Sequence, residues 1–271
     1  MRASLARLFI YPVKSAAGIE CERAELTPQG FRHDREWMIV DPAGRFLTQR
    51  EEGRMALLAT AIEDGRLRLS VPSGESVSVA VDHGGQSVDV QVWSAQCRAF
   101  NAGPEAADLL SGYFGRPLRL VRFDRSQPRL SDARWTQGRQ VPTLFSDGYP
   151  LLVLSQASIA DLAARVGHDL PVQRFRPNIL LEGVAPYAED AASVLETGSV
   201  RLQLTKACTR CAITTIDHVT GQRTGEEPLA TLKSYRFDRE LHGVVFGRNA
   251  YALSGAGSTL TRGAPASIIA A

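Results

Sequence analysis

The sequence predicts a mainly β protein with a few helices, and three kinds of observation support that fold class. Three segments alternate apolar and polar residues almost strictly, as half-buried strands do: RLRLSV at 66–71, SVSVAV at 76–81 and SVDVQVW at 87–93. Two further segments of strand length, ECERAEL at 20–26 and REWMIVD at 35–41, precede them. The turn sequences at 41–44, 63–65 and 83–85 each predict a hairpin. This density of short strands favours a barrel or sandwich over a doubly wound sheet.

Three helices interrupt the strands. PEAADLLSGYF has Pro104 in its first turn and Gly115 just after its end. QASIADLAARV follows Ser155, a suitable N-cap, and stops at Gly167. EPLATLKSYR has Pro228 in its first turn. The polar, irregular stretch at 123–150 predicts a junction or a functional loop. We therefore expect a domain boundary near residue 122, with an N-terminal domain at 1–122 and a C-terminal domain at 123–271.

Composition and charge narrow the class of protein. Of the 271 residues, 44% are hydrophobic and 22% are charged, as in soluble globular proteins of one large or two modest domains. The net charge of +2 gives no reason to expect a nucleic acid or a membrane surface as partner. No apolar run approaches the roughly eighteen residues of a spanning helix, and the N-terminus lacks a signal-type apolar core. Four cysteines do not make a disulfide scaffold, so we expect a cytoplasmic protein with free thiols.

One close cysteine pair, Cys208 and Cys211, lies in KACTRCAITTIDHVTGQR at 206–223. A structural zinc site normally takes four protein ligands, but Cys21 and Cys97 are distant in sequence and the five histidines are scattered. A thioredoxin-type redox centre usually opens a helix, whereas AITTI after Cys211 has a strand-like pattern. Zinc and dithiol chemistry are therefore weakly supported.

Two further interpretations of the cysteine pair remain open. Both residues are compatible with small buried hydrophobic side chains. Alternatively, Arg210 between them and Lys206 nearby favour a thiolate, which is a soft donor suited to a soft or high-valent transition metal. If only one cysteine were a ligand, a bound cofactor would have to complete the coordination.

Several other segments carry residues that suit an anionic ligand. Lys14 and Ser15 lie in a turn after a predicted strand, where an ammonium, a hydroxyl and turn amides together suit phosphate. Arg35 directly precedes an apolar strand, and a guanidinium at such an edge can bind phosphate or carboxylate. Taken alone, each segment is better explained as a surface turn or a charged strand end.

Two segments of the C-terminal half also carry residues that suit a ligand. In QRFRPNILLEG, Arg176 suits an anion, and the Asn178 amide suits the edge of a heterocycle. In FSDGYPLLVLS, the turn at Asp147, Gly148 and Tyr149 exposes backbone amides before a buried strand.

Together these segments resemble the MOSC superfamily, the molybdenum cofactor sulfurase C-terminal domains, over nearly the whole chain. LFIYPVKSAAGIE, GFRHDREWMIVD and FLTQRE resemble its N-terminal β-barrel part. GYPLLVLSQASIADL, FRPNILLEG, CTRCAITTIDHVTGQR and EPLATLKSYR resemble the MOSC domain itself. By motif the chain is most similar to the amidoxime-reducing proteins. The resemblance implies a β-barrel-like MOSC fold, with an N-terminal β-barrel subdomain, that holds a molybdenum–molybdopterin cofactor.

The resemblance also implies roles for individual residues. Cys211 matches the family's molybdenum ligand and would be the catalytic residue, with Cys208 only a neighbour. A pterin dithiolene would supply two further sulfurs to the metal. The residues that match the family's cofactor-binding positions are Lys14, Ser15, Arg35, Asp147, Gly148, Tyr149, Arg176, Asn178 and Arg210.

The activity implied is reduction of small N-hydroxylated substrates, of the amidoxime or hydroxylamine type. The sequence has no CxxxxCxxC spacing for an iron–sulfur cluster, so electrons would come from a separate protein, a ferredoxin or a flavin reductase. Asp217 or His218 could supply protons, although both also fit an ordinary hairpin turn. Two alternatives stay open: a non-catalytic carrier of the molybdenum cofactor, and a zinc-stabilised β protein that uses Cys208 and Cys211.

Overall fold

The computed structural model describes residues 1–270, and these contain twenty-one strands and three α-helices. The strands of the first half are β1 (Arg2–Ile10), β2 (Ile19–Cys21), β3 (Arg23–Thr27), β4 (Gly30–Phe31), β5 (Trp37–Val40), β6 (Ala59–Glu63), β7 (Arg66–Ser70), β8 (Ser76–Ala80), β9 (Ser87–Val92), β10 (Ala95–Asn101) and β11 (Arg119–Phe123). Those of the second half are β12 (Arg129–Leu130), β13 (Pro142–Thr143), β14 (Leu151–Ser155), β15 (Ile179–Glu182), β16 (Ala192–Thr197), β17 (Val200–Thr209), β18 (Phe237–Asp238), β19 (Gly243–Ser254), β20 (Thr259–Thr261) and β21 (Pro265–Ala270). The helices are α1 (Pro104–Phe114), α2 (Gln156–Val166) and α3 (Leu229–Tyr235), and short 3-10 helices cover Gly53–Leu57, Val172–Arg174, Ala188–Ala191 and Ala212–Thr215.

Seven strands close into a barrel in the order β14, β15, β1, β21, β16, β17 and β19, and β19 pairs back onto β14. All of these pairings are antiparallel except that of β14 with β15. Closure satisfies the hydrogen-bonding groups that an edge strand would leave unpaired. The mainly β, barrel-like fold predicted from the sequence is confirmed.

The strand β1 comes from the start of the chain, yet its barrel partners β15 and β21 both lie in the second half. Ser4 pairs with Glu182 on one side and with Pro265 on the other. The barrel therefore combines the first strand with six strands from the region after residue 150. The domain boundary near residue 122 stays a prediction.

The side chains of β1 divide between two hydrophobic cores because successive residues of a strand face opposite sides. Leu8 and Ile10 pack into the cluster enclosed by the barrel strands. Phe9 faces the other way and packs with Leu162 of α2 and Leu232 of α3, which cover the outside of the barrel. One strand thus contributes to the barrel interior and to the layer of helices around it.

The N-terminal part is built on a second sheet, in the order β5, β11, β10 and β9, and on a meander of β6, β7 and β8. All four residues of β5 are fully buried, which explains why this strand shows no apolar–polar alternation. Trp37 and Ile39 pack with Leu110 of α1, whereas Met38 and Val40 pack in a separate cluster with strands β9 to β11.

Two of the three predicted hairpin turns are confirmed. At 63–65, Asp64 and Gly65 have φ values of 49° and 69°, the left-handed conformations of a two-residue turn between β6 and β7. At 41–44, the Gly44 N–H donates to the Asp41 carbonyl at 2.9 Å. The hairpin predicted at 83–85 is wrong, because this turn joins β8 to β9 and those strands lie in different sheets. A turn sequence predicts that the chain changes direction, but it does not predict which strands pair on either side of the turn.

The first two helices begin and end as predicted. Gly115 and Gly167 have φ values of 71° and 88° at their C-termini, and the Ser155 hydroxyl accepts the Ser158 N–H at 3.1 Å. The third helix is shorter than predicted, and Pro228 precedes it instead of lying in its first turn. Within residues 1–270, no helix has both the length and the apolar character needed to cross a bilayer. A cytoplasmic location stays a prediction.

The strand-like interpretation of the residues after Cys211 is wrong. Residues Ala212–Thr215 form a 3-10 helix. The Thr214 hydroxyl donates to the Cys211 carbonyl at 3.0 Å, and the Thr215 hydroxyl donates to the Ala212 carbonyl at 2.8 Å. These side-chain hydrogen bonds stabilise a turn where the β-branched residues alone would favour a strand.

The barrel predicts a large stability cost for truncating β1. Leu8 has no exposed surface, so Leu8→Ala leaves a cavity in the barrel core, and we expect it to lower the free energy of unfolding by about 2–5 kcal/mol. Val219 is 86% exposed, and Val219→Ala should change the free energy of unfolding by less than about 0.5 kcal/mol. Urea titration of both variants measures the difference. Equal stability of the two would contradict the placement of β1 in the core.

Candidate functional site

A cleft of about 870 Å³, part of it open to solvent, is lined by residues from both halves of the chain. Every site residue predicted from the sequence borders it: Lys14, Ser15, Arg35, Asp147, Gly148, Tyr149, Arg176, Asn178, Arg210 and Cys211. The structure therefore brings together residues from separate sequence segments, as one binding site requires. Their individual roles stay predictions.

Cys211 lies in extended backbone immediately before the 3-10 helix Ala212–Thr215. Its Sγ accepts a hydrogen bond from Arg50 Nε at 3.3 Å. The Arg50 guanidinium in turn lies 4.4 Å from the centre of the Trp93 ring. Cys208 borders the same cleft, where burial raises the pKa of its thiol although the nearby Arg210 charge opposes this. All four cysteines of the chain are free thiols.

Lys14 is 5% exposed, and its ammonium donates to Asp147 Oδ1 at 2.5 Å and to the Phe145 carbonyl at 2.8 Å. Burial lowers the pKa of Lys14, and the Asp147 charge opposes that shift. Desolvation raises the pKa of Asp147, but the Lys14 charge and hydrogen bonds from Lys14 and Trp93 outweigh it and hold that pKa below its usual range. Asp147 is therefore ionised at neutral pH, and its carboxylate favours the charged form of Lys14 against burial.

Arg35 is held in place by several acceptors. Its Nη1 donates to Asp34 Oδ2 at 2.5 Å and to Asn178 Oδ1 at 3.0 Å, and its Nη2 donates to the Arg176 carbonyl at 3.1 Å. Its guanidinium also lies 4.4 Å from the centre of the Tyr11 ring. These contacts restrict the guanidinium to one orientation, so little conformational entropy remains to be lost when it binds a ligand.

Asn178 is 1% exposed, and the protein already uses most of its amide. Its Oδ1 accepts from Arg35 and from the Leu152 N–H at 3.1 Å, and its Nδ2 donates to the Phe9 carbonyl at 3.1 Å. Asn178 therefore connects β1 to β14 and positions Arg35, and at most one amide N–H remains for a ligand.

Arg176 and Arg210 bind backbone carbonyls. Arg176 donates to the Ala16 carbonyl at 2.5 Å, and Arg210 donates to the carbonyls of Phe175 and Phe246. Burial, reinforced by the Arg35 charge, lowers the pKa of Arg176 to about 10. Within residues 1–270 neither guanidinium pairs with a carboxylate, so their positive charge is available to an anionic ligand.

Four non-glycine residues of the cleft have left-handed backbone conformations. Ser15, Arg35, Trp93 and Arg176 have φ values of 66°, 49°, 55° and 53°. Each such residue costs about 1–3 kcal/mol, and residues of this kind cluster at functional sites. The strain therefore supports a functional cleft, because the surrounding fold has to enforce each conformation.

Arg50, Trp93 and Arg174 also border the cleft and were not among the predicted site residues. Arg174 is 7% exposed, and it donates from Nη1 to the Thr214 carbonyl at 3.1 Å. Its Nε is buried and has no hydrogen-bond partner within residues 1–270. The one sequence signal for Arg174 is its spacing of two from Arg176 in QRFRPN, which places both near the same strand entry.

The cleft has more cations than acids in its lining, and within residues 1–270 three of the cations, Arg50, Arg176 and Arg210, have no carboxylate within ion-pair distance. Six of its lining residues are Lys or Arg and one is acidic, whereas the whole chain has a net charge of only +2. The lining cations are Lys14, Arg35, Arg50, Arg174, Arg176 and Arg210. Such a concentration of guanidinium groups suits an anionic ligand with phosphate oxygens.

The donor set gives no support to a zinc site made by the protein alone. Within residues 1–270, no group of three or more His, Cys, Asp or Glu side chains is placed to hold a metal ion. The zinc alternative therefore lacks its ligands, because structural zinc takes four. A thiol in a cationic cleft fits a metal that arrives with an anionic cofactor, which would supply the remaining ligands.

The two residues considered as proton donors do not line the cleft. Asp217 Oδ1 accepts the N–H groups of Val219 and Thr220, both at 2.8 Å, and so closes a turn. His218 lies beside it in the same turn. The hairpin-turn interpretation of both residues is confirmed by these contacts.

Family models match both halves of the chain. The MOSC N-terminal beta barrel domain matches residues 2–117, and the MOSC domain matches residues 140–263. Mitochondrial amidoxime-reducing component 1 from Mus musculus is 33% identical over 261 residues, which are 90% of this chain and 75% of that protein. The chain belongs to the MOSC family. A second MOSC relative, mitochondrial amidoxime reducing component 2 from Homo sapiens, is 30% identical over 252 residues, which cover 88% of this chain and 75% of that one.

Solved structures give weaker similarity to this MOSC protein. The YUAD protein from Bacillus subtilis covers 100% of this chain and 97% of its own, with 9% identity and a TM-score of 0.44. YiiM from Geobacillus stearothermophilus covers 45% of this chain and 54% of its own, with 15% identity and a TM-score of 0.33.

The turn beside the cleft predicts a pH dependence of stability. Burial, with the repulsion of Arg176 and Arg174, lowers the pKa of His218 from 6.5 to about 4. Between these values the unfolded chain binds a proton that the folded chain does not. We therefore expect the free energy of unfolding to fall by roughly 2 kcal/mol as the pH drops from about 6.5 to about 4.

His218→Gln should remove this part of the pH dependence, measured by urea titration at several pH values. The matched control is His168→Gln, because the His168 side chain is exposed. Parallel pH profiles for wild type and His218→Gln would contradict the assignment.

Proposed function

We propose that this protein is a molybdenum-cofactor-dependent oxidoreductase that reduces N-hydroxylated compounds with electrons from a separate protein. The observation that carries the proposal is the Cys211 thiol in a cleft lined by six cations and one acid. A protein sulfur and an excess of cations suit a metal bound by an anionic cofactor. The names of the relatives, amidoxime-reducing components, support the type of substrate.

In this proposal, Cys211 is the protein's ligand to molybdenum, and the cations around it hold the anionic part of the cofactor. Lys14, Arg35 and Arg176 are fixed by contacts within the protein, so the site is organised before the cofactor binds. When bound, the molybdenum cofactor supplies two-electron oxygen-atom transfer. The net reaction consumes two electrons and two protons, breaks the N–O bond and releases the oxygen as water.

The cleft also indicates where the protons of the reaction come from and how a substrate enters. The only acid in the lining is Asp147, and its carboxylate is held by Lys14 and by the Trp93 N–H at 3.1 Å. Both contacts favour the ionised form, so Asp147 is a poor proton donor. Protons would come from water, since part of the cleft is open to solvent. The same opening admits a small substrate, and we propose that the electron donor, a ferredoxin or a flavin reductase, docks on the surface around it.

We expect protein from molybdate-fed cells to hold near-stoichiometric molybdenum and to reduce an aromatic amidoxime with an artificial electron donor. Cys211→Ser should lose the metal and at least about 100-fold in turnover, because even changes to groups around a metal ligand cost 10–100-fold. Cys208→Ser is the matched control, since Cys208 borders the same cleft without the Arg50 contact, and it should keep both. Metal analysis and steady-state assays measure these quantities.

The same experiment separates the alternatives. Molybdenum without turnover of any N-hydroxylated substrate would indicate a non-catalytic cofactor carrier. Zinc in place of molybdenum, lost only when both cysteines are changed, would contradict the proposal.

A further inference from the structure

A continuous chain of contacts leads from a buried lysine to the cysteine sulfur. Lys14 Nζ donates to Asp147 Oδ1 at 2.5 Å, and Trp93 Nε1 donates to the same oxygen at 3.1 Å. The Arg50 guanidinium lies 4.4 Å from the centre of the Trp93 ring, and Arg50 Nε donates to Cys211 Sγ at 3.3 Å. Arg50 and Cys211 are 161 positions apart, so the tertiary fold creates this contact.

Trp93 is a rigid support for Arg50. Its backbone is held in the left-handed region at φ 55°, and its carbonyl accepts the Gln91 side-chain amide at 2.7 Å. Phe46 packs edge-on against the ring, with the ring centres 4.9 Å apart. With the indole N–H bound to Asp147, the ring is fixed at its edge, at its backbone and by a neighbouring ring. A guanidinium stacked on a fixed ring loses little further entropy when it is held in place.

Arg50 differs from the arginines beside it in sequence. Arg45 pairs with Asp41 at 2.9 Å, and Arg54 pairs with Glu52 at 2.7 Å. Within residues 1–270, Arg50 has no carboxylate within ion-pair distance, and its one side-chain hydrogen-bond partner is the Cys211 sulfur. Its charge therefore acts on the sulfur and on the cleft, without a counter-ion of its own.

We propose that Arg50 is a positioning residue for Cys211, held by Trp93, whose positive charge and N–H act on the sulfur that ligates the metal. The proposal rests on the proposed function, because it concerns the same ligand. A hydrogen bond and a positive charge at a ligating sulfur withdraw electron density from it, which favours the reduced state of the metal. Arg50 would thereby raise the reduction potential of the site and also fix the direction of the sulfur.

Three variants test the proposal. Arg50→Gln removes the charge and keeps an N–H donor, and Arg50→Lys keeps the charge. Arg45→Gln is the control, since Arg45 is 74% exposed at its side chain and pairs with Asp41. Each protein is purified with its cofactor, and molybdenum content and thermal unfolding are measured first. A redox titration followed by the Mo(V) electron paramagnetic resonance signal then gives the ratio of reduced to oxidised centres.

At a fixed potential, we expect this ratio in Arg50→Gln to be roughly tenfold lower than in wild type, because a neutral N–H donor replaces a charged one. The ratio in Arg50→Lys should lie between those of wild type and Arg50→Gln, and the ratio in Arg45→Gln should equal that of wild type. Trp93→Leu, which removes the support without touching Arg50, should lower the ratio in the same direction. It provides the test if Arg50→Gln does not fold.

The outcomes separate this inference from the proposed function. Wild-type protein without molybdenum would contradict the proposed function itself. Molybdenum-loaded Arg50→Gln with the potential of wild type would overturn only the role of Arg50. Equal shifts in Arg50→Gln and Arg50→Lys would also overturn it, because a role of charge requires that lysine retain part of the effect.

Discussion

The placement of β1 inside the barrel is the constraint on which the site depends. β1 pairs with β15 and β21, and Asn178 reinforces it through Nδ2 to the Phe9 carbonyl at 3.1 Å and through its own carbonyl to the Phe9 N–H at 2.9 Å. Because residues 11–16 follow β1 directly, this pairing carries Lys14 and Ser15 to the cleft that Cys211 borders. The cleft thus forms only when the start of the chain folds together with its second half.

The cleft is costly for the fold in ways that an anionic ligand would offset. Burial lowers the pKa of Lys14 and of Arg176, which means that their charged forms are less stable there than in water. Ser15, Arg35 and Arg176 are also held in left-handed backbone conformations. Neither feature is explained by packing alone. A phosphate-bearing cofactor would stabilise the charged forms of these side chains. The buried cations and the strained backbone therefore both favour a cleft that binds an anionic ligand.

The sequence predicted the local structure well and the long-range structure less well. The alternating strands, the helix caps and the resemblance to the MOSC family predicted the fold. All ten site residues predicted from the sequence border one cleft. The partners of β1 could not be predicted, because strand pairing across the chain leaves no local pattern. Arg50 and Trp93 were missed for the same reason: the φ of Trp93 and the contact of Arg50 with Cys211 are set by tertiary packing.

In the function that we propose, Cys211 is the single protein ligand of a molybdenum centre. X-ray absorption at the molybdenum edge measures it most directly, because the sulfur atoms bound to the metal can be counted. We expect three sulfur neighbours in wild type, two from the dithiolene and one from Cys211, and two at any molybdenum that Cys211→Ser retains. The same sulfur count in wild type and in Cys211→Ser would contradict it.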